Sequence, residues 1–247
     1  MTVRLTVTGL LLFGLTALFV VAETTPAEGQ ESEMTTYQLV FLNEDPDFRD
    51  DPMIDESHAA HRSDRFKTVG KLYLSNLLRD GIAVIAGPIQ EHDTIQQVAV
   101  LAVETTKDAE SIFDHAPGIT AGRLELEIYS WWAAKDILQI PKEPEKTMTA
   151  LLGLLRRPSG APSYSTEELE EIQAGHREHL KKMADSGDLV LAGPIDRGGD
   201  LRGILIFRTG DAERIEKLVA EDPAVQAGRL KVELHPWTVP EQCFPES

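Results

Sequence analysis

Gly81-Ile82-Ala83-Val84-Ile85-Ala86-Gly87-Pro88-Ile89 and Gly187-Asp188-Leu189-Val190-Leu191-Ala192-Gly193-Pro194-Ile195 are two versions of one segment, 106 residues apart. Working outward, the offset holds. Ala121-Gly122-Arg123-Leu124 returns as Ala227-Gly228-Arg229-Leu230, Pro117 as Pro223, Leu74 as Leu180 and Trp131 as Trp237, with no gap between Gly70 and Trp131. Self-similarity at a fixed period is the mark of a repeated structural unit. The sequence therefore predicts a tandem duplication, and the fold question reduces to reading one copy.

In the second copy, the apolar run Thr149–Leu155 reads as a strand. Ser165-Thr166-Glu167-Glu168 is a capping box, which opens a helix. Leu169, Ile172, Leu180 and Met183 recur at helical spacing, and the helix runs to about Ser186 before Gly187 stops it. Leu189–Ala192 predicts a short strand ended by Gly193-Pro194, and Gly203–Arg208 another. Asp211 to about Glu221 predicts a second helix, closed by Pro223. Leu230, Val232 and Leu234 alternate with polar residues, a strand with one wet face. The first copy repeats this order over Tyr37–Leu42, Arg65–Arg79, Ile82–Ala86, Gln97–Val103, Asp108–Asp114 and Leu124–Tyr129.

The order βαββαβ is the ferredoxin-like α+β arrangement, with both helices on one face of an antiparallel sheet. Ile82–Ala86 and Leu189–Ala192 are apolar on both faces, so the uncovered sheet face needs a partner. The other copy supplies it. We expect an intrachain pseudo-dimer of the dimeric α/β-barrel type, with domain 1 over 35–138, a linker over 139–147 containing Pro141 and Pro144, domain 2 over 148–240 and a tail over 241–247.

Ahead of the repeats, Arg4 is the only charge before Glu23, and an apolar run leads to Val20 and Ala22. That pattern predicts a secretory signal peptide over 1–22, cut after Ala22, with a disordered leader over 23–34. An uncleaved anchor is the alternative. The expectation is a periplasmic or secreted protein with no stable membrane association after cleavage. Of the 247 residues, 24 are Lys or Arg and 41 Asp or Glu, a net charge of −17. A nucleic-acid partner needs a basic surface, so that class is excluded. The single cysteine, Cys243, excludes an internal disulfide. It reads as an idle tail thiol or an intermolecular one.

His176, the Ala192-Gly193-Pro194 turn and the Asp222-Pro223 pair ahead of Gly228 form an ordered set that resembles the YCII-related domains, over nearly all of 148–238 and more weakly over 36–133. The resemblance implies the ferredoxin-like fold, dimer-type assembly and a His–Asp active site, in a family whose activities are mostly unassigned. One group resembling it acts on chlorinated hydroxyquinols by acid/base elimination. Nothing in this sequence points to that substrate.

His176 lies on the same stripe as Leu169 and Ile172, so it faces the sheet and needs a polar partner. Asp222, read as the end of the second helix, can approach it. A carboxylate fixes the imidazole tautomer and leaves the other nitrogen as a general acid or base. The competing reading is a satisfied core histidine and an Asp-Pro helix stop. The repeat discriminates: His176 corresponds to Gly70 and Asp222 to Ala116, so both are absent together from the first copy. Gly193, Pro194 and Asp196 are the candidate substrate-binding residues, Asp196 reading equally as a turn cap. His179 is expected at the helix edge, His235 and Trp237 beside the cleft, and His92 and His115 on the surface. His58 and His61, with Asp51, Asp55 and Glu56, read as metal-ligand material or as a solvated acidic loop. No cofactor or metal enters the expected site.

The expected function is lyase- or isomerase-type proton transfer on a small organic molecule. No nucleophile elbow or phosphate-cradling motif is present. A non-catalytic small-ligand binder, or a structural pseudo-dimer, is the alternative. Self-association beyond the pseudo-dimer is left open.

Overall fold

The computed structural model describes residues 33–45, 70–90 and 92–245. The signal-peptide reading of 1–22, most of the leader and the His58/His61 cluster lie outside them. Two successive sets of elements share one order. The first holds β1 (Met34–Glu44), helix α1 described over 70–79, β2 (Ala83–Pro88), β3 (Ile95–Leu101), α2 (Thr106–Phe113), α3 (Pro117–Thr120) and β4 (Leu124–Ala134). The second holds β5 (Thr147–Arg156), α4 (Thr166–Asp185), β6 (Leu189–Asp196), β7 (Leu201–Phe207), α5 (Ala212–Ala220), α6 (Pro223–Gln226) and β8 (Lys231–Pro240). Among the described residues no helix is long and apolar enough to cross a membrane.

All eight strands join one antiparallel sheet in the order β2-β3-β1-β4-β6-β7-β5-β8. The two sets meet at β4 and β6, where Ser130 faces Asp196 and Trp131 faces Ile195. The outer strands β2 and β8 come together through a bridge between Ile89 and Trp237, and the Gln90 N–H donates to the Pro236 carbonyl at 2.8 Å. The sheet is thereby nearly closed. Side chains alternate across a strand, so each strand feeds two cores. The inner one takes Leu39, Phe41 and Trp131 from the first set and Leu152, Leu154, Ile206 and Trp237 from the second. One outer core packs Val40, Leu42 and Phe113 under α1 and α2; the other packs Leu151, Leu180, Met183 and Ile215 under α4 and α5. Each fully buried large apolar side chain contributes about 1.5–3 kcal/mol. This two-sided burial is why the strands are apolar on both faces.

Several boundaries differ from the sequence reading, for one reason. β6 does not stop at Gly193-Pro194: it continues to Asp196, because Gly193 pairs with Ile204 on β7 and Ile195 with Trp131 on β4. β4 and β8 run on past Tyr129 and Leu234 and carry Trp131 and Trp237 into the seams. Cross-set pairing extends these strands, and a local pattern does not register it. Gly87 and Gly193 are what the seams require. A Cβ at Gly87 would lie 1.8 Å from the Thr238 carbonyl oxygen, and one at Gly193 would lie 2.1 Å from that of Trp132. Only glycine lets the backbones approach so closely. The leader reading is shortened as well, since β1 begins at Met34.

The tail is not idle. Cys243 is fully buried in the inner core, and its carbonyl accepts from the Gln139 N–H at 2.9 Å, holding the linker. Burial pushes its thiol well above the ordinary cysteine range. An intermolecular disulfide through Cys243 is thereby set aside.

Candidate active site

Helix α4 starts where the capping box places it. The Glu168 N–H donates to Ser165 Oγ at 3.2 Å, and the Ser165 N–H donates to Glu168 Oε2 at 2.7 Å. Its buried face is His176, Leu180, Met183 and Ala184. Leu180 and Met183 anchor the helix to the sheet, and His176 is carried down with them to 6 % exposure. A buried imidazole without a partner costs about 1–3 kcal/mol.

The partner is Asp222, which is 2 % exposed. His176 Nδ1 lies 2.7 Å from Asp222 Oδ2. The second carboxylate oxygen, Oδ1, accepts from the Ala224 N–H at 2.8 Å. The expectation that Asp222 ends the second helix is corrected here. α5 closes at Ala220 with Glu221 as its C-cap, and Asp222 instead N-caps α6, with Pro223 at the first helical position. Asp followed by Pro is a favoured helix start, because the carboxylate satisfies a free N–H and proline has none to satisfy. The cap leaves Asp222 with one oxygen committed to the backbone and the other aimed at His176. A carboxylate oxygen accepts, so Nδ1–H donates. The neutral ring then carries its lone pair at Nε2, and no described residue supplies a hydrogen bond to Nε2.

Two residues missed by sequence reasoning support this arrangement. Gly175, beside His176, meets the proline: a Cβ there would lie 2.9 Å from Pro223 Cγ. The Tyr164 hydroxyl donates to the Ala227 carbonyl at 2.6 Å, fastening the segment before α4 to the end of α6. His179 lies half-buried on α4. Its Nε2–H donates to the Leu218 carbonyl at 2.9 Å, tying α4 to α5. A signal for Gly175 exists in the sequence, since a glycine inside a helix costs about 1 kcal/mol relative to alanine.

The remaining candidates sit elsewhere on the frame. Gly193 is buried at the β4 seam, Pro194 is half-buried, and Asp196 is exposed beside Arg197 at 3.6 Å. No hydrogen bond joins them to the pair. Pro194 does lie opposite Gly203 on β7. That register matters because Gly203 is the counterpart of Gln97, which lies opposite Pro88 on β3. Gln97 is buried, and a Cβ on Gly70, the counterpart of His176, would lie 2.7 Å from its Nε2. In the first set a glutamine rises from the sheet to a glycine on the helix. In the second the matching positions hold His176 on the helix and Gly203 on the sheet, and the nearest atoms to a Cβ on Gly203 would be the Gly193 carbonyl oxygen at 2.8 Å and Leu155 Cδ1 at 3.2 Å.

A second polar group sits at the edge of the inner core. Arg156 Nε donates to Glu233 Oε2 at 2.8 Å and Arg156 Nη1 to Asp200 Oδ2 at 3.1 Å. The rings of His92 and His235 stand 4.8 Å apart, so His92 is half-buried at the β2–β8 seam rather than a plain surface residue. Burial, then the nearby His235 and Arg156, hold His92 below the usual imidazole range, against Glu233 and Asp93. Trp237 is fully buried, and its indole N–H donates to the Gly87 carbonyl at 3.1 Å. Among the described residues no group of three or more His, Cys, Asp or Glu side chains stands ready for a metal ion.

Comparison with known proteins is consistent with these observations. The family model of the YCII-related domain matches residues 154–238, the stretch that carries both His176 and Asp222. No curated protein matches. A mutant chlorite dismutase from Candidatus Nitrospira defluvii in complex with cyanide is similar at a TM-score of 0.50 and 13 % identity, over 84 % of this chain and 92 % of that one. A novel heme-binding protein from Thermus thermophilus aligns at a TM-score of 0.48 and 12 % identity, over 85 % of this chain and 94 % of that one. At 13 % identity and a TM-score of 0.50, the likeness to the chlorite dismutase concerns the fold alone, a nearly closed antiparallel α+β sheet.

Proposed function

We propose that this chain is an exported acid/base enzyme acting on a small organic molecule, with His176 as the proton-transferring group and Asp222 as the residue that orients it. The 2.7 Å contact between His176 Nδ1 and Asp222 Oδ2, with Oδ1 held by the Ala224 N–H, carries the reading. An Asp that fixes one ring nitrogen leaves the other to take and return a proton. Lyase- or isomerase-type chemistry suits a lone His–Asp pair, since neither step needs a nucleophile. Gly193, Pro194 and Asp196 are proposed to border the substrate, by the resemblance of the Ala192-Gly193-Pro194 turn and the His–Asp pair to one domain family. The two sets of elements are proposed to be ferredoxin-like domains from a duplication, packed as a pseudo-dimer in which the first is a structural partner. Export rests on the apolar run and cleavage pattern ahead of Glu23.

The 6 % exposure of His176 favours a second reading, a ligand-binding module without turnover. One experiment separates the two. The full chain is incubated in D2O with a panel of small carbonyl compounds and hydroxylated aromatics, and solvent deuterium uptake and elimination are followed by proton NMR. The enzyme reading expects turnover that falls by about 10²–10⁴ in His176→Gln. Turnover unchanged in that variant sinks it. Ligand-induced thermal stabilisation with no turnover establishes the binding module instead.

A further inference from the structure

Gly175 has no backbone reason to be glycine. It lies inside α4, and it is absent from the positive-φ glycines of the chain. Glycine is the poorest helix former after proline, so an interior one calls for a steric cause. The cause is Pro223: a Cβ at position 175 would stand 2.9 Å from its Cγ and 3.2 Å from its Cβ. A proline ring cannot rotate out of the way as a long side chain does. Pro223 is bonded directly to Asp222, so displacing the ring displaces the carboxylate.

We propose that Gly175 is a positioning residue for the His176–Asp222 pair: its missing side chain lets α4 and the start of α6 approach until Nδ1 and Oδ2 meet. The inference rests on the proposed role of that pair. The sequence of the first set bears on it independently. The proline recurs there as Pro117, but the counterpart of Gly175 is Val69, alongside Gly70 and Ala116 where the pair is missing. The glycine accompanies the pair, not the proline.

The test uses the full chain labelled with 15N at histidine. In Gly175→Ala the Nδ1 proton of His176 is expected to lose its hydrogen-bonded downfield position and to exchange with water at least about tenfold faster, as for a weakened charge-assisted bond. Combining it with Pro223→Ala removes Cγ, the nearest atom, and is expected to restore the resonance. An ordinary interior Gly→Ala change stabilises a helix. A Gly175→Ala protein with an unchanged Nδ1 proton and a raised Tm would therefore overturn the inference. Should Gly175→Ala fail to fold, the double variant decides: a folded protein with the downfield proton supports the inference, and one without it overturns it. The proton signature is independent of turnover, so an inactive wild type would refute the enzyme reading while leaving the positioning role standing or falling on this resonance.

Discussion

The two halves of the molecule make opposite choices at matching positions. The first half has Gly70 on the long helix, packed against Gln97 on the strand; 106 residues on, the second half has His176 on the helix and Gly203 on the strand. At the next helix start, Ala116 stands where the second half has Asp222, and both are followed by proline and buried. The seams differ far less. Gly87 against Thr238 and Gly193 against Trp132 are the same close approach made twice. The close approach at the seams is the same in both halves, while the residues at the His176 and Asp222 positions differ. Chemistry is therefore to be sought where the halves differ.

The comparison can be broken in order of expected effect. Asp222→Ala removes a cap and strands a buried imidazole, so it should lower unfolding free energy by about 3 kcal/mol, measured by urea denaturation; Ala116→Gly, at the same place in the first half, should cost less than half as much. Gly87→Ala and Gly193→Ala each force a methyl against a backbone carbonyl and should each cost about 2–3 kcal/mol; a large difference between them would show that the seams are not equivalent. Gly70→His overfills the space taken by Gln97 and should cost about 1–3 kcal/mol. Adding Gln97→Gly should recover most of that loss. Failure of the double variant to recover would mean that the two positions do not share one volume.

Smaller effects sharpen the picture. The Trp237 indole N–H donates to Gly87, whereas that of Trp131 is buried with no acceptor among the described residues. Trp237→Phe should thus cost about 1 kcal/mol more than Trp131→Phe. The smallest effect concerns pH. His92 is held below the usual imidazole range, first by burial and then by His235 and Arg156. As pH falls below about 6.5, the unfolded chain takes up a proton that the folded ring resists, so stability is full above that point and declines below it. His92→Asn should flatten the fall of Tm between roughly pH 6.5 and 5.

Much of this was legible in the sequence, for physical reasons. The 106-residue offset exposed the two sets of elements, the capping box placed the start of α4, and helical spacing put His176 on its buried face. The joint absence of His and Asp from the matching positions of the first set, Gly70 and Ala116, singles out the pair without any geometry. What stayed hidden depended on contacts between segments far apart in the chain. The strand extensions through Gly193 and Trp131 exist only because the two sets pair with each other. The role of Asp222 as a cap depended on a four-residue helix too short to leave a periodic signal. Cys243 reads as a tail residue because nothing local shows that the tail folds into the inner core.

The central claim is that Asp222 holds His176 as the Nδ1–H tautomer with Nε2 left as the base. Ring 15N shifts of His176, in the full chain and in Asp222→Asn, test it most directly. The account predicts a protonated Nδ1 and a bare Nε2 in the neutral wild-type ring, with the proton population shifting toward Nε2 in Asp222→Asn. An Nε2–H ring in the wild type, or a tautomer indifferent to Asp222→Asn, would contradict it.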